Sequence, residues 1–245
     1  MRLSFLLSLC SLILLALLAG CAEMTGGELA GNVMRALSTN GAGSDMDEAT
    51  IAAGLKEALT VGSERAVAAT SQPDGFWGNQ LIRIAMPPEL TTMATTLRTI
   101  GFANQVDAME LAMNRAAENA AAEAKPVLLN AVSRMTLSDA LGILRGGDTA
   151  ATDYFRAQTS DELHGRFLPI IQAKMGEVGL YQQHNQLMTT YNALPLTPKS
   201  NFNLDDYVAE QGLNGLFTML AAEEKEIRAN PAARTTDLLK RVFAR

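Results

Sequence analysis

Two cysteines, two histidines and a single tryptophan among 245 residues leave few side chains for chemistry. Cys10 and Cys21 form no C-x-x-C pair, so neither a zinc nor an iron–sulfur grip is available, and two cysteines cannot staple a scaffold. A basic surplus is missing as well: 20 Lys and Arg face 26 Asp and Glu, for a net charge of −6 and a pI near 5.0. Nucleic acid is thereby excluded as a partner, because displacing counterions from phosphates takes a basic face. No P-loop, dinucleotide fingerprint, H-E-x-x-H or G-x-S-x-G occurs, and no cofactor is expected. Apolar–polar alternation runs for only a few residues at a time, best at 80–85, which argues against a sheet.

What the chain does have begins at its N-terminus. Arg2 precedes an apolar run over 3–18 broken only by Ser4, Ser8, Cys10 and Ser11. The run is too short and too abruptly closed for a transmembrane helix and is laid out as an export signal. Its ending, Leu18-Ala19-Gly20-Cys21, resembles the lipobox of bacterial lipoproteins. That resemblance implies a diacylglyceryl thioether on Cys21, with small Ala19 and Gly20 giving a peptidase access to the bond before it, and acylation of the freed amine. Two or three chains anchor stably where one does not. Ala22 in place of Asp implies the periplasmic face of the outer membrane. Residues 1–20 are expected to be a lipoprotein signal peptide, and 21–45 a lipidated N-terminus and glycine-rich tether with a reach of about 25–30 Å.

From 46 to 245 the pattern is helical nearly throughout, fed by 38 alanines and 34 leucines in the whole chain. It predicts an all-α domain, a single compact bundle of roughly eight to ten helices. Asp45 and Glu48 have capping-box spacing ahead of Ile51, Leu55 and Leu59. The stretch 75–88 is instead an apolar loop around Gly78 that must pack on something. Gly101 reads as a helix stop and Pro126 as a helix start. Thr136 and Asp139 cap a short helix closed by Gly146-Gly147, Asp148 caps the next, and Thr159 with Glu162 opens another that Pro169 kinks or restarts. On a helix beginning at Asp205, Ala209, Gly212 and Gly215 leave room for a close neighbour. A last amphipathic helix is expected after Thr235 or Thr236, with Lys240, Arg241 and Arg245 at its C-terminal end.

Several stretches occur in order: Gly54-Leu55-Lys56-Glu57-Ala58-Leu59, Pro73-Asp74-Gly75-Phe76, Met113-Asn114-Arg115-Ala116-Ala117-Glu118, Asp139-Ala140-Leu141-Gly142-Ile143-Leu144 and Asn230-Pro231-Ala232-Ala233-Arg234. As a set they make residues 48–243 similar to a proteobacterial family of exported, often lipid-anchored helical proteins, a domain of unknown function (number four-one-nine-seven). The resemblance implies a helical fold and an envelope location. It brings no activity, cofactor or catalytic residue.

The residues themselves offer a short set of candidates. His184 shares a stripe with Leu180, Leu187 and Tyr191 and reads as a half-buried, hydrogen-bonded histidine rather than a catalyst; His164 reads as solvated. Asp107, Glu110, Asn114 and Glu118 form one polar stripe with Arg115 beside it. Two carboxylates a turn apart could serve glycoside cleavage, but a solvated face or an ion pair locking Arg115 to a neighbouring helix is the plainer reading. Gly146-Gly147-Asp148 reads as a helix stop and start rather than a phosphate cradle, because the Asp148 carboxylate would occupy the amides. Phe76, Trp77, Leu81 and Ile82 are the candidate interaction surface, set against a loop that plugs its own core. The sequence therefore favours a non-catalytic envelope lipoprotein that meets the membrane through its anchor and binds another envelope protein or itself. A binder of an apolar small molecule or lipid is the alternative, and an envelope hydrolase using His184 or the acidic stripe is third.

Overall fold

Asp47 begins the folded body by accepting a hydrogen bond from the Thr50 amide at 2.7 Å. Helix α1 (Glu48–Ser71) follows, so the cap is Asp47 and not the Asp45 that the capping-box spacing favoured. The computed structural model describes residues 47–177, 180–192 and 202–229. The export segment, Cys21, the tether and the helix expected after Thr235 lie outside these residues.

Among the described residues the structure is all helical, with eight α-helices and one 3-10 turn. After α1 an irregular stretch leads to a 3-10 turn (Pro88–Leu90) with proline at its start, then to α2 (Thr91–Thr99). Gly101 ends α2 at φ 98°, its amide bonded to Arg98 O and the Phe102 amide to Leu97 O, the two bonds of a Schellman stop. Helix α3 (Ala103–Ala121) breaks for two residues before α4 (Ala124–Arg134), whose first turn holds Pro126, where its missing N–H leaves no intrahelical bond unmade. The Thr136–Asp139 capping box opens α5 (Leu137–Arg145). Helices α6 (Ala150–Glu177), α7 (Leu180–Asn192) and α8 (Leu204–Ala229) complete the bundle. Asn203 caps α8, its Oδ1 accepting from the Asp205 and Asp206 amides.

Helix α6 corrects a second expectation. Thr159 does not open a helix; its hydroxyl donates to Phe155 O at 2.6 Å within one helix of 28 residues. The reason lies in the stripe it belongs to: Ala151, Phe155, Thr159, Leu163, Phe167, Ile171 and Met175 are all buried. A four-residue repeat outruns the 3.6-residue turn by about 40° per step, so the buried stripe winds around α6. Neighbours α3, α4, α5, α7 and α8 take it in turn, which makes α6 the hub of the core. Pro169 falls on an exposed position and the helix runs on through it.

Helix α8 crosses α6, α3 and α1, and its small residues are where it meets them. Gly212 faces the Ala117 methyl of α3 and the Phe167 ring of α6 at ordinary contact distance, both 3.6 Å from where a Cβ would stand. At Gly215 a Cβ would lie 2.4 Å from Cε1 of Phe76. The closest approach to α8 is thus made by the apolar loop rather than by another helix.

Candidate functional site

The polar stripe of α3 and the irregular chain over 75–88 meet along their length, and each explains the other. Turns within the stretch pair the Gly75, Gly78, Asn79, Ile82 and Arg83 amides but not those of Phe76, Trp77, Ile84 and Met86, and a buried unpaired amide costs about 1–3 kcal/mol. The stripe supplies the partners. Glu118 Oε1 accepts from the Phe76 and Trp77 amides at 3.1 and 3.2 Å. Asn114 accepts from the Ile84 amide and donates to the Ile84 carbonyl, both at 2.8 Å, and Glu110 accepts from the Met86 amide at 3.3 Å. Residues one turn apart on the helix therefore act as a side-chain ladder for a non-helical strand of backbone.

The remaining carboxylate oxygens are held by arginines. Arg115 bridges Glu118 Oε2 and Asp74 Oδ1, each at 2.7 Å, and those hydrogen bonds, Glu118 first, raise its pKa above the ordinary value. Arg98 of α2 binds Asp107 at 2.7 Å and Glu110 at 3.5 Å. Arg115 does form an ion pair beyond its own helix, with Asp74 at the start of the loop. Asp74 adopts φ 66°, a left-handed turn that short polar side chains tolerate. Each carboxylate of the stripe thus has at least one partner, in an arginine or in the backbone of the loop.

The four apolar loop residues separate. Phe76 and Ile82 are buried, Phe76 fully, and they plug the notch at Gly215. They are core, which corrects their place in a candidate surface. Trp77 is half-buried, with the Arg83 guanidinium stacked over its ring 3.4 Å from the centroid. Leu81 stands 82% exposed at the tip, the most exposed of the large hydrophobic side chains among the described residues. Asn79 holds the tip by accepting from the Leu81 amide and donating to the Met219 sulfur of α8.

A second buried carboxylate, which the sequence reading missed, sits at the N-terminus of α6. Glu224 of α8 accepts from the Ala151 amide at 3.0 Å and from the amide and hydroxyl of Thr152 at 2.9 Å. Arg228 binds the same carboxylate and donates to Ile143 O near the end of α5. The amides after Gly146-Gly147 are indeed occupied by a carboxylate, as expected, but by Glu224 and not by Asp148. The Glu224–Arg228 spacing of four was the one signal in the sequence, and many solvated pairs share it.

His184 lines a cleft of about 460 Å³ between α7 and the start of α8, with Tyr181, Phe202, Asn203, Leu204 and Asp205. It is half-buried as expected, and burial lowers its pKa, with a hydrogen bond to Asn185 opposing the shift. Tyr181 donates to Asp205 at 2.9 Å; burial first and that bond second push the phenol up to about 12. His164 lies 3.9 Å from Asp206 rather than beside Asp161. Among the described residues no three His, Cys, Asp or Glu side chains gather as metal ligands, and no single helix is long and apolar enough to cross a membrane.

No curated protein and no solved structure matches this chain. A family model described as "Protein of unknown function (DUF4197)" matches residues 45–244, which takes in every element above. The ladder, the buried Glu224 clamp and the histidine cleft are thus features of a chain that belongs to the DUF4197 family.

Proposed function

We propose that this protein is a non-catalytic envelope module, anchored through a lipidated Cys21 at the periplasmic face of the outer membrane, that docks another envelope protein or a second copy of itself through the tip of the 76–83 loop. One observation carries the reading: a loop fixed to the body by Glu118, Asn114 and Glu110 holds an almost fully exposed Leu81 beside the Trp77–Arg83 stack. Rigid presentation of an apolar and aromatic tip lowers the entropic cost of association, and aromatic and arginine side chains dominate interface energetics. The lipobox and tether support the location.

The other two readings have less behind them. An apolar ligand needs a largely apolar pocket of hundreds of Å³; two apolar cavities under α8 and α1, around Ala58 and Ile227, hold about 20 Å³ each, and the cleft of about 460 Å³ has His184, Asn203 and Asp205 in its lining. A hydrolase gains a cleft with a shifted histidine, but there the Asp205 carboxylate is hydrogen-bonded by Tyr181.

Photo-crosslinking in living cells tests the proposal, with a probe at Leu81 and a control probe at Ile100. A discrete adduct from Leu81 alone is expected. Identical patterns from both sites, or none from either, would remove the docking reading. Mass analysis of the mature N-terminus without acyl groups on Cys21 would remove the anchor.

A further inference from the structure

On the side of the bundle formed by α4, α5 and α6, a second cleft of about 200 Å³ is lined by Ala131, Arg134, Asp139, Tyr154 and Gln158. The residues come from three helices: the last turn of α4, the first turn of α5 and the early turns of α6. Its floor is the buried methyl of Ala131, and its walls are polar. Asp139 commits Oδ2 to the Thr136 amide and hydroxyl, while Oδ1 takes no hydrogen bond among the described residues and the Lys56 charge also reaches the carboxylate. Among the described residues the Arg134 guanidinium, the Tyr154 hydroxyl and the Gln158 amide take no hydrogen bond, and Arg134 no ion pair. That sets Arg134 apart from Arg98, Arg115 and Arg228, each of which holds a carboxylate. Burial raises the pKa of the Tyr154 phenol, with the Asp139 charge adding to the shift and the Arg134 charge opposing it.

We infer that this cleft binds a small zwitterion of the α-amino acid type, its carboxylate on Arg134 and Gln158, its ammonium on the open oxygen of Asp139, and its short side chain over Ala131. The volume, which holds about seven waters at roughly 30 Å³ each, has room for a single small amino acid. The charge pattern follows from one unpaired cation and one half-used carboxylate across a common phenol, with Tyr154 as a neutral donor between them. A lone anion would be repelled by Asp139, and a lone amine by the exposed Arg134. A peptide terminus carries only one of the two charges.

Saturation-transfer difference NMR on the detergent-solubilised full chain tests this, with L-alanine, D-alanine, acetate and ethylamine as probes, since each carries one methyl to read. Alanine of at least one hand is expected to saturate with a Kd at least tenfold below those of acetate and ethylamine. Arg134→Gln should weaken it at least tenfold and Tyr154→Phe several-fold, with the thermal unfolding midpoint of each variant within a few degrees of the parent. Absence of saturable alanine binding overturns the inference. So does acetate or ethylamine binding as tightly as alanine, or an Arg134→Gln variant that binds alanine unchanged.

Discussion

Glu118 and Glu224 solve one problem in two places. Each is a nearly buried carboxylate, its side chain 4% and 6% exposed, that accepts from two successive backbone amides and is held by an arginine on its own helix. What they hold differs. Glu224 closes the first turn of a 28-residue helix, where amides converge and the helix dipole favours a negative charge. Glu118 fastens the start of a segment with no regular structure of its own. Their arginines differ too: Arg228 is 17% exposed and also ties down Ile143 O, whereas Arg115 is 36% exposed and shares itself with the exposed Asp74. The same pair of side chains is therefore a core joint in one setting and a surface latch in the other.

Removing each carboxylate separates the two roles. Glu224→Ala removes the buried Glu224–Arg228 pair and leaves three donors of α6 unpaired, and should lower global stability by about 3–5 kcal/mol, read by denaturant unfolding. A loss no larger than that of Glu118→Ala would break the comparison. Gly215→Ala comes next. Its methyl would stand 2.4 Å from Phe76 and 3.2 Å from Ile82, so the loop must lift or α8 must shift, at about 1–3 kcal/mol. Gly212→Ala meets only ordinary contacts and should cost under about 1 kcal/mol. Glu118→Ala should act locally: Arg115 keeps Asp74 and solvent, so about 1–3 kcal/mol is lost, with faster hydrogen exchange at the Phe76 and Trp77 amides and little change in α6. Exchange that accelerates equally throughout the bundle would show that the latch and the joint are one unit.

The two clamps also mark what could be read from the sequence. Elements set by local chemistry were legible: the Thr136–Asp139 box, the Gly101 stop, Pro126 in a first turn, and the small residues of α8. Local signals failed where tertiary burial overruled them. Thr159 with Glu162 has the spacing of a cap, but Thr159 belongs to a buried stripe that runs through the whole of α6. The polar stripe of α3 was visible as a periodicity, yet the backbone it serves lies 24–42 residues away, and nothing in a one-turn spacing names a distant amide. Glu224 was hidden for the same reason, since its partners are 72 and 73 residues distant. A loop with four apolar residues shows that burial is needed but not which side chains take it. Only Gly215 and the ladder decide that Phe76 goes in while Leu81 stays out.

The smallest effect separates both clamps from the cleft. Neither clamp contains a histidine, whereas His184 in the cleft has its pKa lowered by burial. A histidine whose folded pKa lies below the unfolded value of about 6.5 binds its proton more readily in the unfolded chain. Its contribution to stability is therefore complete above pH 6.5, falls as pH drops from there to the folded pKa, and falls no further below it. Unfolding midpoints measured between pH 5 and 7.5 should decline towards the acid end of that window, and His184→Gln should flatten the decline. If His184→Gln leaves the slope intact, burial of this imidazole does not carry the pH dependence, and the distinction of the cleft from the two clamps fails.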